Sequence, residues 1–479
     1  MATSDRVEAT LDPDDWERYR ASSHRILDQL IDFLKDVRSR PVWRAPIEIE
    51  RTDDDLPMAP RALEDVWRWL STQVLPYPTG NIHPRFFGWV HGTGTVGGVV
   101  AEMIAATMNS NVGGREHAAV HVERQVVSWA KRIFGFPETA SGLLLSGTSM
   151  ANVVGLAIAR NGVDARIKHA GLAASRLRPI AYVSSEAHVS VTKALELIGL
   201  GSDCLHRVPV TSEFEIDPNA LLQQISADRV AGLHPFCIIG NAGTVNTGAV
   251  DDLGRLADIA AAEALWFHID GAFGALAQLS PRLQPRLRGI ERADSLAFDF
   301  HKWLHVPYSV GCLLVRDESA HRAAFATDAG YLAKDGRALS GGAPWFSDYG
   351  PELSRGFSAL KVWFVLQEHG IEKLAAMVEK NCDQARYLEG LIAQHSELEL
   401  CAPVSLNIVC FRFRAPDALN REIVDQLHER GIAAPSTATI RGRLVIRVAL
   451  TNHRTMRADL DVLVDAIVEL GSRLRVETP

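Results

Sequence analysis

From about residue 97 to residue 370, short apolar runs alternate with stretches whose apolar residues recur at helical spacing. That alternation limits the chain to an α/β architecture with a mostly parallel sheet and helices on both faces. Strands are expected at 142–146, 180–183, 204–210, 235–240, 265–269, 295–299 and 310–315. Helices fall between most of them; in 251–264, for example, Leu253, Leu256, Ile259 and Ala260 share one face. The flanks differ from this centre. Residues 1–85 read as helical, with Trp16, Tyr19, Ile26, Leu27, Leu30, Ile31 and Leu34 at helical spacing, a proline-rich passage, and a second helix near 63–73. Such a segment cannot bury its apolar faces alone. From about residue 380, helices at 381–394, 421–430 and 457–470 and strands at 407–412 and 444–448 suggest a small α+β domain. The expected division is therefore 1–85, 86–375 and 376–479.

Composition excludes several classes. With 479 residues and a formal charge of −8, the chain offers no basic stripe for nucleic acid. The six cysteines are scattered without a CxxC pair, which argues against a zinc site and a disulfide framework. Residues 1–15 are polar and acidic, unlike a signal peptide, and no apolar run approaches the length of a membrane span. A cytoplasmic enzyme is expected.

The chemistry concentrates around Lys302, in the run Ser295-Leu-Ala-Phe-Asp-Phe-His-Lys-Trp-Leu304. Lysine is scarce, nine against forty-one arginines. In apolar surroundings desolvation should lower its pKa and free the amine that a Schiff base with a carbonyl cofactor requires. Pyridoxal phosphate makes further demands: a carboxylate for its ring nitrogen, a phosphate cradle, and a flat group over its ring. Asp270 closes the apolar run 265–270, ahead of Gly271-Ala272, where the carboxyl end of a parallel strand meets a ligand crevice. An ordinary helix cap explains such an aspartate equally well. Leu143-Leu-Leu-Ser-Gly-Thr-Ser-Met-Ala-Asn152 reads as a strand ending in a helix start, with Thr148 and Ser149 as hydroxyl donors at an anion-binding N-terminus. His188, just past a strand, is the ring-stacking candidate. The small residues of 240–248, with Thr244 among them, permit close backbone approach.

These stretches, together with Ala242–Asp252 and Asp299–Leu304, resemble the pyridoxal-phosphate-dependent group II amino-acid decarboxylases, in family order and with family-like spacing. The resemblance continues at 355–363 and 450–454 and so covers nearly the whole chain. It implies a fold-type I enzyme with a seven-stranded large domain, a homodimer embraced by the N-terminal helices, and decarboxylation of an L-amino acid. It also implies cofactor contacts from Lys302, Asp270, Ala272, His188, Thr148, Ser149, Thr244, Asp299 and His301. Tyr331, in the glycine-rich segment 327–350, matches the loop tyrosine that protonates the product carbon, with His301 as a supporting acid. Arg355 is the expected partner of the substrate α-carboxylate, since a planar guanidinium suits it.

For the substrate side chain, Phe86, Trp89 and His91 favour an aromatic ring. Arg115 stands where many relatives carry tryptophan, and it could instead pair with an acidic side chain. His117 and His121 are four apart on an expected helix but lack a third ligand, so no metal is expected. The alternatives to an amine-forming decarboxylase are oxidative deamination to an aldehyde, a carbon–carbon lyase, and a catalytically silent fold member. Retention of Tyr331 and His188 favours the amine.

Overall fold

The computed structural model describes residues 10–46, 56–327, 338–342 and 344–477. Twelve strands occur among them: β1 (Phe86–Phe87), β2 (Ser141–Leu145), β3 (Pro179–Ser184), β4 (Leu205–Val208), β5 (His234–Asn241), β6 (Trp266–Asp270), β7 (Ser295–Asp299), β8 (Gly311–Val315), β9 (Leu398–Leu400), β10 (Ile408–Phe413), β11 (Ala434–Ile440) and β12 (Arg443–Ala449). Seven form one sheet in the order β2-β8-β7-β6-β5-β3-β4. All neighbours in it are parallel except β8, which is antiparallel to both β2 and β7. Each of the seven expected strand windows holds one of these strands. The reason is burial: β2, β7 and β8 are buried at every position because helices cover both faces, so their sequences are largely apolar, with Ser141, Ser295 and Asp299 at the strand ends.

The helices obey the same logic. Helix Leu253–Glu263 starts where the Asp252 side chain accepts from the Arg255 N–H, and it turns Leu253, Leu256, Ile259 and Ala260 into the core. Helix Thr148–Val163 is buried along most of its length between the sheet and helix Val189–Leu197.

A second sheet, ordered β1-β11-β12-β10-β9, carries the C-terminal domain. Two boundaries differ from the sequence-based division. Phe86 and Phe87 pair in parallel with Ala434 and Pro435, so the start of the expected large domain belongs to the small sheet. Phe87 is 1% exposed in the small-domain core, and that burial fixes the pairing. The expected boundary at 375 also falls inside a helix: Ala359–Gln394 is two helical stretches joined by a kink at Gly370 (φ 70°, ψ 159°), and the second carries Leu374, Ala375 and Val378 into the core. The N-terminal helices Trp16–Lys35 and Leu63–Gln73 lean on each other through Ser22–Glu64 and Trp67–Gln29 hydrogen bonds, each 2.7 Å. Arg38 anchors them to Asp459, at 2.7 Å, in the first turn of the C-terminal helix Arg457–Glu477.

Candidate active site

The carboxyl ends of the parallel strands open into a cleft of about 470 Å³. Asp270 ends β6, Asp299 ends β7, and Lys302 follows three residues later. His188 lies beyond β3, and Gly147-Thr148-Ser149 lie beyond β2. This is the edge where α/β sheets bind ligands. Of the expected site residues, Trp89, His91, Thr148, Ser149, His188, Thr244, Asp270, Ala272, Asp299, His301 and Lys302 all line this one cleft.

Lys302 donates to Asp299 Oδ2 at 2.9 Å. Burial acts to lower its pKa, but the Asp299 and Asp270 carboxylates outweigh burial and the net shift is upward. The expectation of a desolvated free amine is therefore corrected: the carboxylates hold the ammonium form. The other Asp299 oxygen accepts the Thr148 N–H at 2.7 Å, joining the lysine loop to the helix start. Asp270 Oδ2 accepts from Asn152 Nδ2 at 2.9 Å, and its Oδ1 accepts from the Ala272 N–H at 3.2 Å. His188 caps helix Val189–Leu197, its Nδ1 accepting from the Ser190 N–H at 3.2 Å. Burial lowers the pKa of His188, against the pull of Asp270, and likewise lowers His301 and His91. The three rings are thereby biased toward neutrality.

These residues fit pyridoxal phosphate at three points. Lys302 stands for the aldehyde and Asp270 for the ring nitrogen. At the phosphate end, the Thr148 hydroxyl is buried without a hydrogen-bond partner at the N-terminus of a sixteen-residue helix, where an anion is favoured. Thr244 is turned into its own loop, its hydroxyl 2.9 Å from that of Thr247.

The outer wall is aromatic. Trp89 stacks on His91 with centroids 5.7 Å apart, and Phe86 lies behind both, 6.2 Å from Trp89 and 5.7 Å from His91. Trp89 has φ 49°, a left-handed conformation that costs a non-glycine residue about 1–2 kcal/mol. It is held there by Ser436 Oγ, which accepts its N–H at 3.2 Å, and by Arg447, which donates to its carbonyl at 3.0 Å. Gly92 passes so close to His301 that a Cβ would sit 1.6 Å from the His301 carbonyl oxygen. Tyr308 completes the wall 4.4 Å from the His301 ring, its hydroxyl accepting the Gly92 N–H at 3.3 Å.

Among the described residues, Arg355, Arg115 and Phe86 do not line this cleft, Phe86 standing behind Trp89 and His91. Arg355 is 6% exposed, and its guanidinium is bound by Glu123 at 2.5 Å and by the carbonyls of Leu144 (2.7 Å) and Val112 (3.1 Å). The substrate-carboxylate role is corrected accordingly: Arg355 is engaged internally. Arg115 is exposed outside the lining, its guanidinium 5.6 Å over the Trp345 ring. Tyr331 lies outside the described residues. His117 binds the Asn111 carbonyl at 3.0 Å and His121 binds Glu116 at 2.5 Å, and among the described residues no group of three metal-ligating side chains assembles.

Asn152, Ser190 and Tyr308 were not anticipated. Asn152 had a signal: an amide one turn beyond Thr148 within the otherwise apolar stretch Met150–Ile158. Tyr308 had none, because it reaches the cleft through an irregular loop after Lys302.

Comparison with known proteins agrees with the geometry. Residues 46–414 match the model of the pyridoxal-dependent decarboxylase conserved domain. The chain is 32% identical to an aromatic-L-amino-acid decarboxylase of Bacillus atrophaeus, over 97% of both chains. It is 29% identical to a phenylacetaldehyde synthase of Petunia hybrida, covering 85% of this chain and 81% of that one. The solved structure of Oryza sativa TDC with PLP and tryptamine superposes with a TM-score of 0.89 at 27% identity, over 97% of this chain and 100% of that one. The chain belongs to the pyridoxal-dependent decarboxylase family and is a pyridoxal-phosphate-dependent amino-acid carboxy-lyase.

Proposed function

We propose that the substrate is an aromatic L-amino acid and the product its amine. The observation that carries this reading is the lining of the cleft. Among the described residues Lys302 is its only lysine or arginine, while Trp89, His91 and Tyr308 form an aromatic face. Among the described residues a side-chain carboxylate would find no guanidinium there, because Arg115 and Arg355 lie elsewhere. An aromatic ring finds stacking partners.

Pyridoxal phosphate, when bound, supplies an aldehyde carbon for the substrate amine and a conjugated ring that takes up the electron pair left as carbon dioxide departs. The chain's residues divide the remaining work. Lys302 holds the aldehyde end and Asp270 holds a proton at the ring nitrogen. Gly147, Thr148 and Ser149 bind phosphate, and His188 packs on the ring. Trp89, His91 and Tyr308 exclude water and orient the side chain. Tyr331 delivers a proton to the product carbon, with His301 in support. The aldehyde-forming reading draws on the phenylacetaldehyde synthase relative and is the alternative outcome.

We further infer a homodimer. Helix Val96–Met108 exposes Val96, Val100, Met103, Ile104 and Met108 along one stripe, an apolar face that wants a partner. A cytoplasmic location is supported by six unpaired cysteines, five of them buried. No described helix is long and apolar enough to cross a membrane.

The test is product identification by mass spectrometry, with aromatic, acidic and basic L-amino acids offered in air. An aromatic amine is expected. Turnover of an acidic amino acid would refute the substrate reading, and an aldehyde with peroxide would refute the product.

A further inference from the structure

Behind the cleft, a buried chain of hydrogen bonds runs from the sheet into the helix that starts at Thr148. The Trp266 Nε1–H donates to Ser295 Oγ at 2.8 Å. Ser295 Oγ is 2.7 Å from His268 Nδ1, and His268 Nε2 is 3.0 Å from Asn152 Oδ1. Asn152 Nδ2 then reaches Asp270 Oδ2 at 2.9 Å and Ser190 Oγ at 3.2 Å. Ser190 Oγ ends the second branch 2.8 Å from His188 Nδ1. Asn152, His268 and Ser295 are fully buried, and Ser190 is nearly so.

The sense of every bond in this chain is fixed by its ends. A carboxylate only accepts, so Asn152 must turn its NH₂ to Asp270 and its carbonyl to His268. His268 must therefore carry its proton on Nε2. Burial pushes its pKa down to about 3, so the ring is neutral and Nδ1 is a lone pair. Ser295 must then donate to that lone pair while accepting from the indole. At the other branch, the Ser190 backbone N–H can only donate, so His188 Nδ1 is also a lone pair. Ser190 Oγ donates to it and accepts from Asn152, which leaves the proton of neutral His188 on Nε2. No donor faces a donor anywhere in the chain. Space for it is built in, since a Cβ on Gly155, one turn beyond Asn152, would lie 2.9 Å from His268 Cε1.

We propose that Asn152 is a positioning residue whose amide, locked by His268, Ser295 and Trp266, aims the Asp270 carboxylate at the cofactor ring nitrogen and, by donating to Ser190 Oγ, turns that hydroxyl to donate to His188 Nδ1, reinforcing the Nε2–H tautomer that the Ser190 backbone N–H requires. The inference rests on the assignment of Asp270 and His188 to the cofactor ring. It makes one amide the link between the group beneath the ring's edge and the group against its face.

The test measures cofactor affinity by titrating the apoprotein, alongside kcat, KM and melting temperature of the loaded enzyme. Asn152→Ala should weaken cofactor binding about tenfold or more, since it removes a hydrogen bond to a charged group. Its kcat should fall by about tenfold with KM within about twofold. His268→Leu should behave like Asn152→Ala. His268→Gln, which offers an N–H to the same oxygen, should keep affinity within about threefold. Ser190→Ala breaks only the second branch. Losing its donation to Nδ1 makes His188 easier to protonate, so the acid limb of kcat should move up by about half a pH unit. Asp270 and Asp299 favour that protonation, and Lys302 and Lys193 oppose it. A folded Asn152→Ala with parental cofactor affinity overturns the proposal. If that variant does not fold, an unmoved acid limb in Ser190→Ala overturns it. Asp270→Ala with parental affinity would instead overturn the assignment beneath it.

Discussion

Replacing Arg355 by methionine separates a structural role from a substrate-binding one, and its effect can be worked out from the pair it makes. Glu123 is fully buried on helix Ala118–Phe134 and accepts from Arg355 at 2.5 Å. Burial pushes the Glu123 carboxyl up, and Arg355 opposes that push. Without the guanidinium, the cheapest escape for Glu123 is to take up a proton. From an ordinary value of 4.5, that costs about 1.4 kcal/mol per pH unit, or about 3.4 kcal/mol at about pH 7. The carbonyls of Val112 and Leu144 lose their donors as well, at about 1 kcal/mol each. The expected loss is at most about 5 kcal/mol at about pH 7, because burial already holds the Glu123 carboxyl above its ordinary value in the parent despite Arg355. The pH dependence follows from the sign. In the variant the folded-state pKa of Glu123 lies above its unfolded value, so the folded form is favoured below about pH 4.5 and penalised as pH rises. At about pH 5.5 the loss should shrink to at most about 3 kcal/mol. Urea midpoints of the holoenzyme at both pH values read this directly. E123Q combined with R355M should recover most of the difference, because no buried charge remains. An unchanged midpoint in R355M, with KM raised for the best substrate, would refute the argument and return Arg355 to the substrate carboxylate.

Other consequences are simpler to read. Lys302→Ala should abolish turnover and the visible absorbance of the bound cofactor; parental activity would sink the site assignment. Gly92→Ala places a carbon 1.6 Å from the His301 backbone oxygen, so kcat/KM should fall at least about tenfold with a changed cofactor spectrum. An unperturbed spectrum would show that the wall yields freely. Trp89→Ala removes the exposed ring of the aromatic face and should raise KM for aromatic substrates by about tenfold with little change in kcat. An equal rise for aliphatic substrates would show that Trp89 is not a side-chain contact.

The large sheet was legible because strands buried on both faces are largely apolar, and β2, β5, β6, β7 and β8 are, apart from residues such as Asn241, His268, Asp270, Ser295 and Asp299. β11 was not, because Ala434-Pro-Ser-Thr-Ala-Thr-Ile440 carries small and polar residues between β1 and β12. The residues proposed to hold the cofactor were legible as motifs at strand ends, and the structure brings them into one cleft. The misassignments share a cause. An arginine in a sequence shows its charge but not its partner, and Glu123 lies 232 residues from Arg355. Lys302 shows its apolar neighbours, but the sign of its shift depends on how Asp299 folds back to reach it at 2.9 Å.

In the proposed reading, the cofactor groups and the substrate wall hang on different sheets. Lys302, Asp270, Asp299 and His188 are placed by the parallel strands of the large domain. The wall of Trp89 and His91 is placed by the small one. β1 adds to β11, and the Arg85 carbonyl accepts from Ala434. Ser436 and Arg447 grip Trp89, and the Thr451 hydroxyl donates to the His91 carbonyl at 2.8 Å. Arg447 also donates to the carbonyls of Val245 and Asn246, on the loop beyond β5 at the cofactor side of the cleft. Among the described residues no carboxylate pairs with it, and burial pushes its pKa down to about 10. One buried guanidinium thus sets the spacing between the substrate wall and the cofactor loop. Substitutions in β11 and β12 that shift this frame should move KM and substrate preference while leaving cofactor binding near parental, whereas substitutions at the ends of β6 and β7 should do the reverse. The small domain can therefore be remodelled for a new side chain without disturbing the groups that break the carboxyl bond.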